Sequence, residues 1–155
     1  MISTRAELQY LLHRAWEIEK KFESLSAWKS FISTESKYRS TFLTLAKESY
    51  QHRLNLEELL KRFGLEAPTN EIPKPDFDLN GLLNSEILQK IVNYDEMARE
   101  LYIQILENMD PRNISILIDE TEFVFLNQQL KQMIEDETRH IGLVKKMTGK
   151  IERIQ

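Results

Sequence analysis

Apolar residues recur at intervals of three and four positions in four long segments of the chain, separated by polar and proline-containing stretches. This spacing places the apolar side chains on one face of an α-helix, so each segment predicts an amphipathic helix. The predicted helices span roughly residues 5–27, 35–63, 85–108 and 111–147, the fourth with a bend or break near residues 118–122. The pattern therefore predicts an all-α protein.

Residues that commonly begin or end helices stand at several of these boundaries. Thr4 is followed three positions later by Glu7, the spacing of an N-terminal capping box. Gly64 stands where a left-handed C-terminal cap would follow the second helix. Asp110 and Pro111 suit the cap and the first turn of the fourth helix. The boundaries thus agree with the apolar periodicity.

The connection between the second and third predicted helices, residues 65–83, is long and contains Pro68, Pro73 and Pro75. Helices of more than about 20 residues are roughly 30 Å long, and antiparallel neighbours need only short links. A linker of about 19 residues is long enough to return the chain along a helix to its other end. We therefore expect a single domain, residues 1–155, built as an antiparallel four-helix bundle of two hairpins joined by this crossover.

Composition narrows the classes of function. The chain has 155 residues, a formal net charge of −4 and no cysteine. The charge argues against nucleic acid as an obligatory partner, because phosphate binding requires a basic face. The lack of cysteine excludes disulfides, thiolate catalysis and cysteine-ligated metal sites. No signal-like N-terminus and no apolar window of about 18 residues is present. We expect a cytoplasmic protein with no membrane partner.

Polar residues interrupt the apolar faces of the second and fourth helices at equivalent places. In the fourth helix, Glu137 and His140 lie between apolar positions, and their Glu-x-x-His spacing puts both on one face, one turn apart. In the second helix the same place holds Ser49 and His52. The two histidines therefore occupy matching positions in the two predicted hairpins.

The first and third helices match in the same way. Aligning them places one carboxylate, Glu19 or Asp95, at the same level of each apolar face. The flanking residues then correspond as well: Ala15, Ile18 and Phe22 with Ile91, Tyr94 and Ala98. This weak internal repeat ties four polar positions together, and it predicts that they meet in the middle of the bundle.

These residues resemble the ferritin-like, rubrerythrin-related di-iron carboxylate proteins, in which two helices give one carboxylate each and two give Glu-x-x-His. The most specific matches are Glu137-Thr-Arg-His140 and Asp95-Met-Glu-Ala98-Arg-Glu-Leu-Tyr102. The resemblance implies two iron ions, peroxide reduction or Fe(II) oxidation, an external electron donor and a hydrogen-bonding phenol at Tyr102. It assigns five metal ligands: Glu19, His52, Asp95, Glu137 and His140.

The chain departs from that family's pattern at two positions. Ser49 stands where the first Glu-x-x-His motif supplies a carboxylate, and Asp95 is one methylene shorter than the usual Glu. Glu48 lies about 40° from His52 around the helix and is a candidate substitute ligand, although a surface position suits it better. The remaining oxygen and imidazole ligands suit iron, manganese or zinc.

Three interpretations stay open at this level. The first is the di-iron redox centre; the second is a metal-free bundle that serves a structural or interaction role. The third is a mononuclear site in which Glu137, His140 and either Asp95 or Glu19 bind one ion.

The start of the fourth helix has more apolar residues than one amphipathic face needs: Ile114, Ile116, Leu117, Ile118, Phe123 and Phe125. This surplus predicts a partner surface, most simply in a homodimer or larger homo-oligomer. A bent helix that wraps its own bundle would explain the surplus as well.

Overall fold

The computed structural model describes residues 1–33, 36–68, 84–109 and 118–154. Within these residues the chain is helical, with an isolated bridge between Ile2 and Met109 and no β-strand. This confirms the prediction of an all-α fold. The four helices are α1 (Arg5–Ser33), α2 (Ser36–Arg62), α3 (Asn84–Asn108) and α4 (Glu120–Ile154).

Two helices extend beyond their predicted ends. Helix α1 continues to Ser33 and α4 to Ile154, because apolar residues continue at helical spacing past those ends, at Trp28 and Phe31 and at Ile151 and Ile154. The predicted break near residues 118–122 falls at the start of α4, after a bend at Ile118. Most of the predicted crossover (69–83) and the predicted helical start at 110–117 lie outside the described residues.

Side-chain and backbone caps fix the ends of α1 and α2. The hydroxyl of Thr4 accepts a hydrogen bond from the backbone N–H of Glu7 at 3.1 Å, as the capping box predicts. At the end of α2, Gly64 adopts a φ of 67°, and the next N–H, of Leu65, donates to the carbonyl of Leu60 at 2.9 Å. The left-handed C-terminal cap is therefore confirmed.

Helix α1 packs against α2 and α3, and α4 packs against α3 and α2. Contacting residues run in opposite order along three of these neighbouring pairs, so each of the three pairs is antiparallel. The contacts are Glu23 with Arg53 and Trp16 with Glu57 for α1 and α2, Phe22 with Tyr94 and Ile2 with Asn108 for α1 and α3, and Glu48 with Arg139 and Arg62 with Glu122 for α2 and α4.

One apolar core runs between the four helices, and the predicted faces of α3 and α4 are buried in it. Burial of apolar side chains is the main term that holds such a bundle together. At one level of the bundle the apolar face is broken. Every buried polar or charged side chain of the described residues lies at this level: Glu19, Ser49, His52, Asp95, Glu137 and His140.

The apolar residues at the start of α4 pack within the chain. Ile118 is buried, Phe123 and Phe125 pack against the core, and the guanidinium of Arg62 lies 3.7 Å above the ring of Phe125. Residues 114–117 lie outside the described part, so the homo-oligomer stays a prediction. Among the helices described, none combines the length and apolar character required to cross a bilayer.

Gly64 and Gly142 give opposite predictions. Gly64→Ala should lower the free energy of unfolding by about 1 kcal/mol, because an L-residue is strained at positive φ. Gly142→Ala should raise it by about 0.5–1 kcal/mol, because Gly142 is helical and an added Cβ meets nothing within 4 Å. Urea denaturation measures both. Equal effects of the two substitutions would contradict the assigned cap.

Candidate metal centre

The six buried polar side chains converge from all four helices. One ligand atom from each of Glu19, His52 and Glu137 lies within 4.8 Å of the others, and the same holds for Asp95, Glu137 and His140. All five of these residues are almost completely buried. Two groups of candidate metal ligands therefore share one carboxylate in the middle of the bundle.

Glu137 is the shared residue because its two carboxylate oxygens face different histidines. Its Oε1 lies 2.9 Å from Nδ1 of His52, and its Oε2 lies 3.6 Å from Nδ1 of His140. The two imidazole rings stack with their centroids 6.3 Å apart. Each ring thus points its Nδ1 inward, toward the shared carboxylate, and its Nε2 outward.

The outer nitrogen of each histidine meets a carboxylate from the opposite helix. Nε2 of His52 on α2 lies 2.9 Å from Oδ2 of Asp136 on α4, and Oε2 of Glu48 on α2 contacts Nε2 of His140 on α4. At the surface, Arg139 reaches both acids, at 2.8 Å from Glu48 and 3.3 Å from Asp136. Carboxylates at the outer nitrogen fix the ring orientation and leave the inner nitrogen to face a metal.

Glu19 is surrounded by hydrogen-bond donors. The phenol of Tyr102 donates to Oε1 at 2.6 Å, and Nδ1 of His52 lies 3.3 Å from the same oxygen. The hydroxyl of Ser49 donates to Oε2 and lies 3.2 Å from the backbone carbonyl oxygen of Glu19. Both carboxylate oxygens of Glu19 are therefore occupied, which stabilises its charged form.

The opposite end of the centre lacks such donors. Oδ2 of Asp95 and Oε2 of Glu137 are buried, and apart from the hydrogen bond between these two carboxyl groups no described donor bonds to them. Nδ1 of His140 lies 4.0 Å from Oδ1 of Asp95. Two carboxyl groups that face each other in a low-dielectric interior require a shared proton or a cation between them.

The pKa values follow this arrangement. Burial alone would raise the pKa of Glu19, but the hydrogen bonds from His52, Ser49 and Tyr102 lower it below its ordinary value. Burial raises the pKa of Asp95 well above its ordinary value, and the charge of Glu137 adds to this. Burial and the charge of Glu19 raise the pKa of Glu137 to about 7.

The histidines and Tyr102 are shifted as well. Burial lowers the pKa of His52, but hydrogen bonds to Asp136, Glu137 and Glu19 outweigh it and raise the value to about 12. The bond from His52 in turn lowers the pKa of Asp136 to about 2. Burial lowers the pKa of His140, whereas burial and the charge of Glu19 raise that of the Tyr102 phenol.

The structure brings all five predicted ligands into contact distance at one level; that they bind metal stays a prediction. Glu48, the candidate substitute ligand, belongs to neither group of three and instead contacts the outer side of His140. Tyr102 lies beside the centre, as predicted, and its phenol donates to Glu19. Ser49 also lies in the centre, where its hydroxyl donates to Glu19.

Sequence reasoning missed Asp136 and Arg139. A signal for Asp136 was nevertheless present, because the internal repeat aligns it with Glu48: each stands immediately before the first residue of a four-residue motif that ends in histidine. The same repeat that matched the histidines would have matched these two acids. Arg139 contacts both acids, and only the approach of α2 to α4 shows this.

No protein-family model matches the chain, and no curated protein matches it. The interpretation of the centre therefore rests on its own geometry.

The donor set fits a divalent metal ion. It offers two imidazole nitrogens and three carboxylates, the ligand types that suit iron, manganese and zinc. The fit is supported by the buried oxygens of Asp95 and Glu137, which have no hydrogen-bond donor from a third described side chain. Without a cation, the negative charge of this cluster has to be reduced by protonation.

The stability of the metal-free protein should rise as the pH falls from about 8 to about 6.5. At Glu137, Asp95 and His52 the native pKa lies above the ordinary value, so in this window the folded state binds more protons than the unfolded state. The opposite shift of His140 matters only near and below its ordinary value of 6.5.

Thermal melting of chelator-treated protein across this window measures the effect. Glu137→Gln should flatten the dependence, because the amide does not titrate. A melting temperature of the metal-free wild type that increases from about pH 6.5 to 8 would contradict the assigned pKa directions.

Proposed function

We propose that this chain is a metal-binding protein of the ferritin-like, rubrerythrin-related type, and that its function is redox chemistry at the carboxylate and histidine centre. The reaction would be reduction of peroxide or oxidation of Fe(II). The observation that carries the proposal is the orientation of the two histidines. Both Nδ1 atoms face Glu137, while carboxylates contact both outer nitrogens.

This orientation favours metal binding over a simple buried hydrogen-bond network. A metal-bound histidine usually donates its other ring N–H to a carboxylate, which fixes the ring and the tautomer. Here His52 has that hydrogen bond through Asp136, and a carboxylate oxygen of Glu48 contacts the outer nitrogen of His140. The hydrogen bond from His52 to Glu137 fits a metal-free network as well, but the inner nitrogen of His140 lies 3.6 Å from Glu137 without a hydrogen bond, as expected of a position prepared for a ligand.

The directions of the helices also support the ferritin-like assignment. Helix α1 is antiparallel to α2 and to α3, and α4 is antiparallel to α2, so α2 and α3 run in the same direction. Two consecutive parallel helices require a connection that returns along the bundle. The ferritin-like fold has one such crossover.

Iron bound at this centre would supply one-electron redox chemistry and coordination positions for peroxide or oxygen. The residues around it would orient the ligands and hold protons nearby. The phenol of Tyr102, 2.6 Å from Glu19, is a proton donor to the centre. The apolar core on both sides limits the access of water. The chain has no cysteine, so electrons would come from an external donor.

A second candidate function is that of a metal-free bundle with a structural or interaction role. The observation that favours it is the closed set of hydrogen bonds around Glu19, made by Ser49, His52 and Tyr102. The two candidates differ in one property. Only the first requires that the folded protein bind divalent metal tightly.

Addition of Fe(II) under anaerobic conditions, or of Mn(II), should raise the melting temperature of the protein. Selective binding to the folded state stabilises it by about 2.7 kcal/mol when free metal is a hundred times Kd. The double substitution of His52 and His140 by Ala should abolish this rise. His13→Ala is the matched control, because His13 bonds to the carbonyl of Glu66 away from the centre.

The same protein loaded with Fe(II) should consume hydrogen peroxide in the presence of a reductant, and the double histidine variant should lose this activity. Metal binding without peroxide consumption or Fe(II) oxidation would leave a metal-binding protein but refute the redox function. No stabilisation by any of Fe(II), Mn(II) or Zn(II) would refute the metal centre and favour the metal-free bundle.

Glu48→Gln should weaken Mn(II) binding about 10- to 100-fold, because Glu48 contacts the outer nitrogen of His140 and removal of a carboxylate that orients a ligand histidine costs affinity of this order. Glu48→Asp should restore part of the affinity. Glu135→Gln, at an exposed position, removes the same charge without touching a histidine. Equal effects of Glu48→Gln and Glu135→Gln would show that only the net charge matters.

A further inference from the structure

The centre consists of two halves that share Glu137. We call Glu19, His52 and Glu137 the Glu19 half, and Asp95, Glu137 and His140 the Asp95 half. In the sequence repeat, Ser49 takes the place that Glu137 occupies in the other hairpin. Each half thus has two carboxylates and one histidine, but beside Glu19 the repeat places a serine instead of a further carboxylate.

Ser49 hydrogen-bonds to Glu19 and leaves it no carboxylate oxygen without a donor. Its hydroxyl donates to Oε2 of Glu19, on the oxygen that Tyr102 and His52 leave free. The same hydroxyl lies 3.2 Å from the backbone carbonyl oxygen of Glu19, which places α2 and α1 together at this point. A cation in this half would have to displace donors that already bind both oxygens of Glu19, and the serine offers no charge in return.

In the Asp95 half, by contrast, two carboxylate oxygens have no donor from a third side chain. These are Oδ2 of Asp95 and Oε2 of Glu137, both buried, and Nδ1 of His140 lies 3.6 Å from the second of these oxygens. A cation in this half would replace the hydrogen bond between the carboxyl groups of Asp95 and Glu137. It would displace no donor from a third side chain at these two oxygens.

From this difference we propose that the centre is asymmetric, with one tight divalent-metal site formed by Asp95, Glu137 and His140. The Glu19 half binds a second ion much more weakly, because Ser49 both removes a ligand and occupies Glu19. The inference rests on the proposed metal-binding function and makes it more specific. It assigns the tight site to one half and predicts one tightly bound ion per chain.

Equilibrium dialysis of the chelator-treated full chain against Mn(II), followed by elemental analysis, measures the number of ions. We expect one tight ion per chain, with any second ion bound at least about tenfold more weakly. Electron paramagnetic resonance of the bound Mn(II) should show the resolved hyperfine lines of an isolated ion. Two ions bridged by a carboxylate would broaden these lines by magnetic coupling.

Substitutions then identify the half that binds the ion. His140→Ala should remove the tight ion, whereas His52→Ala should retain it. Ser49→Glu should increase the count toward two ions per chain, because it adds a carboxylate and removes the donor to Glu19. Ser49→Ala is the matched control: it removes the donor without adding a ligand, and the count should stay at one.

The possible results distinguish a failure of the asymmetry from a failure of the metal-binding function. Two ions of equal affinity in the wild type would overturn the asymmetry while leaving the metal-binding function intact. One tight ion that is lost in His52→Ala and kept in His140→Ala would place the site in the wrong half and overturn the inference. No bound Mn(II), Fe(II) or Zn(II) would overturn the metal-binding function itself. If a variant does not fold, judged by its melting curve, the wild-type count and spectrum still decide the asymmetry.

Discussion

The burial of three carboxylates and two imidazoles at one level of an apolar core is the constraint on which the rest of this structure depends. Each such group loses hydration when it is buried, and this loss is offset only by partners within the same layer. The antiparallel packing of α1 against α2 and α3, and of α2 against α4, brings these partners to the same depth. The layer therefore forms only when all four helices are in register, which couples the fold to the chemistry of its centre.

The main features of the fold and the buried polar cluster could be predicted from the sequence, because they depend on helical periodicity. The apolar faces predicted the helices, and the polar interruptions at Glu19, His52, Asp95, Glu137 and His140 predicted which residues meet. Arg139 could not be found this way, because it lies on the flank of α4, where a charged residue normally faces water, and its partners depend on the distance between α2 and α4. Asp136 lies on the same flank, and only its alignment with Glu48 in the internal repeat could have identified it. The ends of α1 and α4 were placed too early, although apolar residues continue at helical spacing beyond them.

Ser49 shows how one substitution changes the character of a symmetric site. A pair of matched halves would place four carboxylates around two cations, but the serine replaces one charge with a donor to Glu19. Both carboxylate oxygens of Glu19 then accept hydrogen bonds from the protein, whereas Asp95 and Glu137 each keep an oxygen without a donor from a third side chain. The interior thus combines a structural network and a candidate ligand set within a single layer. The shared carboxylate of Glu137 connects them.

The most direct test of the central claim is anomalous diffraction from crystals of the full chain grown with Mn(II). Our account predicts an anomalous difference peak inside the bundle, surrounded by Asp95, Glu137 and His140, with the ring of His140 presenting Nδ1 to the ion. The absence of a peak in the bundle, with these side chains bonded only to one another, would contradict it. So would a peak confined to the surface acids.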